Sequence, residues 1–598
     1  MTGSNQLGLH SEASASAAGP GWLDPAELRI GLGCMRLSTE VDGARETAAA
    51  TIKAALDAGI TVFDTARAYG DDQLRPGDNE QLLASVLREH DPRRVARIVT
   101  KGGMTRSGGG WSPDGRAGTL LADCEASLAA LDGLAIDLYL IHAPDARLPW
   151  RTTLRALARL LAEGMVKHVG ISNVNRRQLD EALDIVDVVA VEVALNVFDD
   201  SALRGGVVER CLERGVTVIA HSPLGGPRRA SKLGKHPVLT QVATANGTTP
   251  AEVALAWLLG LAPNVVPIPG ARRPDTARSS ASAARVRLGD AQSTALADAF
   301  GRLRTVRSTD ADVSEDADIV VIAGIPGAGK SRIADQLAAA GYQRLNRDSR
   351  GGTLRDLLQP LDDALTSGVS RIVLDNTYLT RATRSHVIEA GERHGLSVRC
   401  LWIDTPLAQA QVNLVERLLD RFGALPAPEE LRAAARKEPG VLTPTSQMRA
   451  LRDLEPPSTD EGFVRVDRVP FTREPASLRQ RLGVFVDASA LVQAGWRDAL
   501  AGTDPSAPHL VFDWSPTGAD DRLAAGIERL SSIAAVVEGG LCSHAAGPPV
   551  CWCRPPLPGL VLAFARRHRV DPARSALIGT SAAHRTLAST LGARYVSV

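Results

Sequence analysis

Gly324–Ser331 reads GIPGAGKS and follows the apolar run Ile319–Ala323. A buried-strand pattern leading into G-x-x-x-x-G-K-S predicts a strand, a tight glycine turn and the first turn of a helix. Backbone N–H groups left unpaired at that helix start converge on one point, where the helix dipole also favours negative charge. The expected occupant is the phosphate chain of a nucleoside triphosphate such as ATP. Gly324, Gly327 and Gly329 shape the loop, Lys330 reaches the β- and γ-phosphates, and Ser331 holds Mg2+.

Downstream, an amphipathic stretch Arg332–Ala340 is followed by GYQRLNRDSRG (Gly341–Gly351), by the apolar run RIVLD ending at Asp375, and by LSVRCLWIDT. Alternating strands and helices predict an α/β domain. Phosphoryl transfer to a hydroxyl needs a base near the γ-phosphate and cations over the departing charge. Asp348, expected in a loop after the second strand, is the candidate base, and Asp375, closing a strand, is the candidate partner for Mg2+. Arg417 and Arg421, four apart on one helix, share a face and form a candidate lid.

Upstream, eight short β-rich runs alternate with helical stretches: RIGLGC, ITVFDT, RIVTKG, DLYLIH, VKHVGIS, VVAVEV, VTVIAH and NVVPIP. Eight such units in about 250 residues predict a closed (β/α)8 barrel, in which polar residues at the carboxyl ends of strands carry the chemistry. Asp64, Lys101 and His142 end strands in this way, and Tyr69 lies in the loop beyond Asp64. A Lys ammonium held by an Asp favours tyrosinate, making Tyr69 a usable general acid, while His142 orients a carbonyl oxygen.

The whole chain bounds these readings. Its 598 residues suit three or four domains, and 68 Lys plus Arg against 68 Asp plus Glu exclude a general electrostatic pull towards nucleic acid or membrane. Residues 1–24 read as a flexible tail without an apolar signal core, 25–305 as the barrel, and 306–317 as a linker overlapping the acidic run Ser308–Asp318. The P-loop domain is placed at 318–475 and a third α/β domain at 483–598. Four of the seven cysteines are scattered, which argues against a disulfide framework. No run is long and apolar enough to span a bilayer, so a cytoplasmic protein is expected. Cys542, His544, Cys551 and Cys553 fall within twelve residues. That set suits a tetrahedral structural Zn2+ with all four positions filled.

The motifs FDTARAYG (Phe63–Gly70), VTKGG (Val99–Gly103), LYLIHAPD (Leu138–Asp145), GISN (Gly170–Asn173) and IPGARR (Ile268–Arg273) resemble the aldo-keto reductases. The resemblance implies Tyr69 as proton donor supported by Asp64, Lys101 and His142, Ser172 and Asn173 on the nicotinamide carboxamide, and NADPH with its 2′-phosphate met by Arg272 and Arg273. A small carbonyl compound is the implied substrate. Glu192 stands where that family usually has Gln, Leu195 falls near the position of a stacking aromatic, and Ser279–Ser280 replace the usual Glu-Asn near the adenine.

GIPGAGKS, GYQRLNRDSRG, VLDNT (Val373–Thr377) and EPPSTDEGFVRVDRVPF (Glu455–Phe471) resemble the kinase domain of polynucleotide 5′-kinase/3′-phosphatases. The implied partners are ATP and a polynucleotide 5′ end in nucleic-acid repair, with Asp348 as base and Arg417 as lid, since Val415 occupies the usual lid-arginine position. CWCRPPLPG (Cys551–Gly559) resembles zinc-containing phosphatases of the haloacid dehalogenase superfamily. Asp487 matches their nucleophile, while Ser489, Pro555 and Thr580 replace residues of the phosphatase chemistry, so an inactive domain is implied. Two alternatives stay open: a small-molecule kinase coupled to a carbonyl reductase, and a kinase regulated by a non-catalytic NADPH-sensing barrel.

Overall fold

The computed structural model describes residues 22–24, 26–38, 45–70, 76–107, 110–303, 318–472, 480–547 and 549–598. The expected tail at 1–24, apart from residues 22–24, and the linker at 306–317 lie outside these. The chain forms two compact units, Met1–Thr305 and Val306–Val598.

The first unit is a (β/α)8 barrel. Its eight parallel strands pair in chain order: Gly31–Gly33, Val62–Asp64, Arg97–Gly102, Leu138–Ile141, Val169–Ser172, Val188–Ala194, Thr217–His221 and Val265–Pro267. Every strand expected from sequence is present. Parallel neighbours require a crossover, and amphipathic helices such as Trp150–Ala162 supply it, burying Leu154, Leu157 and Leu160 against the strands. Ring closure brings Gly33 within 3.1 Å of Pro269 O through its N–H. A β-carbon at Gly33 would stand 2.9 Å from Ile268 O, so closure requires glycine there. Val62, Val99, Leu138, Leu140, Ala190, Ile219 and Ile268 fill the interior, leaving the carboxyl ends of the strands to the polar groups. A short antiparallel hairpin not foreseen in the sequence, Met104–Ser107 with Gly110–Pro113, follows the third strand.

The second unit contains two five-stranded parallel sheets. In the first, Asp318–Ala323 is central, with the order Gln343–Leu345, Arg371–Asp375, Asp318–Ala323, Ser397–Asp404, Arg465–Pro470. Asp318, the last residue of the acidic run that reads as linker and the first of the domain placed at 318–475, opens the central strand. Its carboxylate accepts from the Tyr342 hydroxyl at 2.5 Å and pairs with Arg399. Asp348, expected in a loop, lies in the short helix Arg347–Arg350, whose start is capped by the Asn346 side chain. The acidic segment Glu455–Glu461 has a structural purpose. Glu455 accepts from Arg381 N at 2.9 Å, and Glu461 forms a buried 2.7 Å ion pair with Arg384. Together they dock the helix Arg381–Arg393 onto the chain leading into the edge strand Arg465–Pro470.

The second sheet runs Val537–Cys542, His509–Trp514, Val484–Asp487, Ala576–Gly579, Arg594–Ser597. One apolar cluster joins it to the helices Leu407–Phe422 and Pro428–Lys437 that follow the fourth strand of the first. Val415, Leu418 and Leu431 pack with Phe485, Phe512, Trp552 and Phe564. Val415 therefore faces a core, which accounts for an apolar residue where a lid arginine was expected. Among the described residues, no helix is long and apolar enough to cross a membrane.

Because that cluster is shared, Leu418→Ala should remove about 2–5 kcal/mol from the second unit as a whole. Native-state hydrogen exchange is expected to show Ser397–Asp404 and Val484–Asp487 losing protection together. Loss confined to one sheet would contradict a common core.

Candidate active site of the barrel and nucleotide site of the second unit

The barrel mouth is organised around Lys101. Its strand buries the side chain completely, and the ammonium pairs with Asp64, donates to Thr65 O at 3.1 Å and stands 3.2 Å from a Glu192 carboxylate oxygen. Asp64 ends the second strand. Glu192 lies within the sixth, opposite Ser172 in the register. Tyr69 is buried beside them, with Lys101 Nζ 5.3 Å from its ring centre.

The electrostatics follow from two buried carboxylates facing one ammonium. Burial and the charge of Glu192 raise the Asp64 carboxyl to about 7 against the opposing pull of Lys101, and burial raises Glu192 as well. Burial works against the Lys101 charge, but Asp64 and Glu192 overcome it and hold the ammonium above its ordinary range. Burial also raises the Tyr69 hydroxyl; Lys101 lowers it while Asp64 and Glu192 add to the rise. Tyr69 is thus held in its protonated form, a net shift opposite to the tyrosinate-favouring effect expected of Lys101, because burial and the two carboxylates outweigh the ammonium.

His142 follows the fourth strand, its ring 5.7 Å from that of Tyr69. Burial and Lys101 lower it to about 3, so it is a neutral imidazole, and its Nδ1 is buried without a hydrogen-bond partner. Ser172 is buried at the end of the fifth strand. Asn173 takes a left-handed backbone with φ 57°, and its amide donates to His142 O at 2.9 Å and Ser172 Oγ at 3.1 Å. Its Oδ1 meets His221 Nε2 at 3.0 Å. Arg272 and Arg273 are exposed on the loop after the last strand, where Arg273 precedes the helix Pro274–Ala283. Leu195 is fully buried in the packing between strands and helices. Ser279 is tied to Glu252 at 2.7 Å.

Three residues of this mouth were not singled out as its working parts. Trp111, on the unforeseen hairpin, stands 6.2 Å from Tyr69 and 5.7 Å from His142, with the Arg106 guanidinium over its ring at 4.9 Å. His221 ends the seventh strand, which is the same signal that marks Asp64. Glu192 interrupts the apolar run VVAVEV, and a charge inside a buried strand demands a partner.

In the second unit Gly324, Gly327 and Gly329 have φ of 156°, 86° and 92°. At Gly327 a β-carbon would lie 2.4 Å from Ala410 O. Lys330 begins the helix Lys330–Ala339 and folds over its own loop, donating to Gly324 O at 3.0 Å and Ile325 O at 2.9 Å. Burial lowers its ammonium to about 8, with Asp375 opposing. Ser331 is exposed in the same turn. Asp375 is buried and engaged by Arg344 and by Asn346 Nδ2 at 3.0 Å, while the neighbouring Asn376 Nδ2 is buried with no partner. Asp348 is half-exposed and pairs with Arg347 at 2.7 Å. Arg417 reaches Gly440 O at 3.5 Å, and Arg421 is held by Glu438 at 3.0 Å.

The four metal candidates are brought together, with all ligand atoms within 4.8 Å of one another. Cys542 Sγ and Cys551 Sγ are 3.8 Å apart, and His544 Nδ1 lies 3.4 Å from Cys542 Sγ and 3.2 Å from Cys553 Sγ. A tetrahedron with bonds of about 2.3 Å has edges of about 3.8 Å, so the donor set fits Zn2+. At the second sheet, Asp487 accepts from Ser489 and, at 3.4 Å, from Thr580, and lies 3.6 Å from His584 Nε2.

A model of the aldo/keto reductase family matches residues 29–299, and a model of AAA domains matches residues 319–438. A probable aldo-keto reductase of Glycine max is 30% identical over 294 residues, which is 44% of this chain and 82% of that protein. An uncharacterised oxidoreductase of Schizosaccharomyces pombe is 30% identical over 267 residues, again 82% of its length. Among solved structures, a thermostable aldo-keto reductase in complex with epalrestat is 32% identical with a TM-score of 0.39, covering 45% of this chain and 94% of its own. An aldo-keto reductase from Klebsiella pneumoniae in complex with NADPH is 24% identical with a TM-score of 0.40, covering 48% and 95%.

The proton shared between Asp64 and Glu192 gives a signed expectation. Asp64 titrates in the fold near 7, above the ordinary 3.8, so its stabilising contribution is complete below about pH 4 and is lost as pH rises through about 7. His142 and His221, lowered to about 3 and about 4, are neutral over this window in wild type and variant alike. Glu192→Gln should therefore stabilise the barrel relative to wild type by an amount growing from about pH 5 to about pH 8, on the order of 1 kcal/mol. Denaturant unfolding across that range measures it, and a pH-independent difference would contradict the shared proton.

Proposed function

The chain belongs to the aldo/keto reductase family, and from that membership we propose that its barrel reduces a small carbonyl compound with NADPH, while its P-loop unit transfers the γ-phosphate of ATP to a polynucleotide 5′-hydroxyl. The observation that carries the first half is the Lys101 ammonium fixed between Asp64 and Glu192 beside a protonated Tyr69.

NADPH, when bound, supplies the hydride. Ser172 and the oriented Asn173 amide would hold its carboxamide, and Arg272, Arg273 and the N-terminus of the helix Pro274–Ala283 would meet its 2′-phosphate. The protein's own groups act on the substrate oxygen. Tyr69 donates its proton there, and Lys101 stabilises the tyrosinate left behind. His142, neutral and with an unpartnered Nδ1, fixes the carbonyl, while Trp111 walls the pocket and excludes water. The two carboxylates around Lys101 resist ionisation of Tyr69, so proton donation depends on Lys101 meeting the developing tyrosinate.

In the second unit, Lys330 and the loop N–H groups would neutralise the phosphates of ATP, and Ser331 with Asp375 would hold Mg2+. Asp348 takes the proton of the accepting hydroxyl, with Arg417 as the closing cation. The unpartnered Asn376 Nδ2 beside Asp375 is a donor that a phosphate or acceptor oxygen satisfies. The polynucleotide acceptor and a role in end repair rest on the resemblance carried by GIPGAGKS, GYQRLNRDSRG, VLDNT and above all EPPSTDEGFVRVDRVPF. Cys542, His544, Cys551 and Cys553 would hold a structural Zn2+, and the Asp487 pocket, with hydroxyls where phosphatases carry charges, is read as an inactive phosphatase-like site.

Tyr69→Phe tests the reductase half. Carbonyl-dependent NADPH oxidation should fall by roughly 10²–10⁴-fold, with NADPH binding measured by fluorescence unchanged. Turnover at the wild-type rate would show that another group supplies the proton.

A further inference from the structure

The metal candidate and the nucleotide loop are joined by a continuous set of contacts. Cys551 and Cys553 bracket Trp552, which is 2% exposed and donates its indole N–H to Leu442 O at 2.9 Å. Leu442 lies between the helices Pro428–Lys437 and Pro444–Asp453. Leu425, just beyond the helix Leu407–Phe422, packs directly on Cys542, Cys551 and Cys553. The cysteine knuckle thus grips the 405–447 segment at both of its turns.

That segment in turn holds the back of the nucleotide loop. Gln447 Nε2 donates to Pro326 O at 3.3 Å, Asn413 Nδ2 to Gly327 O at 2.8 Å, and Thr405 Oγ1 to Ala328 O at 2.9 Å. Three consecutive carbonyls of GIPGAGKS are therefore pinned from one side. A peptide plane has one orientation, so fixing the carbonyls aims the attached N–H groups, the groups that cradle phosphate. Arg566, on the helix Gly559–His568, adds an ion pair to Asp420, and Gln409 Nε2 reaches Thr590 O at 3.2 Å.

We propose that the metal held by Cys542, His544, Cys551 and Cys553 sets the nucleotide affinity of the P-loop, by fixing Trp552 and, through it, the 405–447 segment that orients Pro326, Gly327 and Ala328. This rests on the readings of the cysteine cluster as a zinc site and of GIPGAGKS as an ATP site. Four ligand bonds would hold the loop around Trp552 beside its own hydrogen bonds, such as Gly559 N–H to Trp552 O at 3.0 Å and Arg554 to Ala545 O at 2.9 Å; without the ligand bonds the grip on Leu442 and Leu425 slackens. The C-terminal sheet, with no phosphatase chemistry required of it, then serves as the support of the kinase.

The test uses the full chain, with zinc content measured by elemental analysis and ATP affinity by calorimetry. Chelation should weaken ATP binding tenfold or more by this account, and zinc re-addition should restore it. Trp552→Phe retains all four ligands but loses the Leu442 bond, worth about 1 kcal/mol. It should keep its zinc and bind ATP about fivefold more weakly. Wild-type affinity in both the chelated chain and the zinc-loaded variant would overturn the coupling alone. A wild-type chain that takes up no zinc overturns the metal reading, and a zinc-loaded chain that binds no ATP overturns the P-loop reading; either removes the coupling with it.

Discussion

Parallel strand pairing is the constraint on which the whole chain depends. Neighbouring strands that run the same way cannot be joined by a tight turn, so each must be followed by a crossover helix. All carboxyl ends then lie at one edge, where loops start and helix N-termini point. In the barrel that edge collects Asp64, Lys101, His142, Ser172 and His221. In the second unit it carries GIPGAGKS after Ala323 and Asp375 after Leu374, and in the last sheet Asp487 and Thr580. The amino-terminal edges carry ion pairs of structural use, such as Arg97 with Glu27 and Arg399 with Asp318. One topological rule therefore gathers the candidate working groups at the other edge.

Within the barrel the rule has an electrostatic consequence. An ammonium as deeply buried as that of Lys101 survives only with opposite charge in contact. Two carboxylates supply it, which is one more than neutrality needs, and the surplus negative charge is met by a proton on the pair. Lys101 stays charged, Tyr69 stays protonated, and His142 stays neutral, all from one set of contacts. The second unit solves a different problem. The loop around Gly327 is tied on one side by its own Lys330, at Gly324 O and Ile325 O, and is braced from behind through Thr405, Asn413 and Gln447.

The sequence made much of this legible. Eight strands were readable because each is a short, largely apolar β-rich run alternating with helical stretches, and the P-loop because its glycines and lysine have one geometric use. Cys542, His544, Cys551 and Cys553 were readable as a set because they are close in the chain. What sequence did not reveal depends on contacts between distant positions. Trp111 enters the site on a hairpin of glycine-rich chain with no strand periodicity. The pairing of Glu192 with Lys101 links the third and sixth barrel strands, and the packing of Val415 with Phe564 joins two helices across what the sequence suggests is a boundary. Asp318 looked like acidic linker because its partners, Tyr342 and Arg399, lie 24 and 81 residues away.

The central claim is that a reductase barrel and a kinase that acts on polynucleotide ends share one chain. It is tested most directly by transfer of labelled γ-phosphate from ATP to 5′-hydroxyl DNA and RNA oligonucleotides, comparing the intact chain with Asp348→Ala. The account predicts label on the oligonucleotide from the wild type and at least a hundredfold less, as expected for loss of a general base, from the variant. An unlabelled oligonucleotide from a chain that binds ATP would contradict it and move the acceptor to a small molecule.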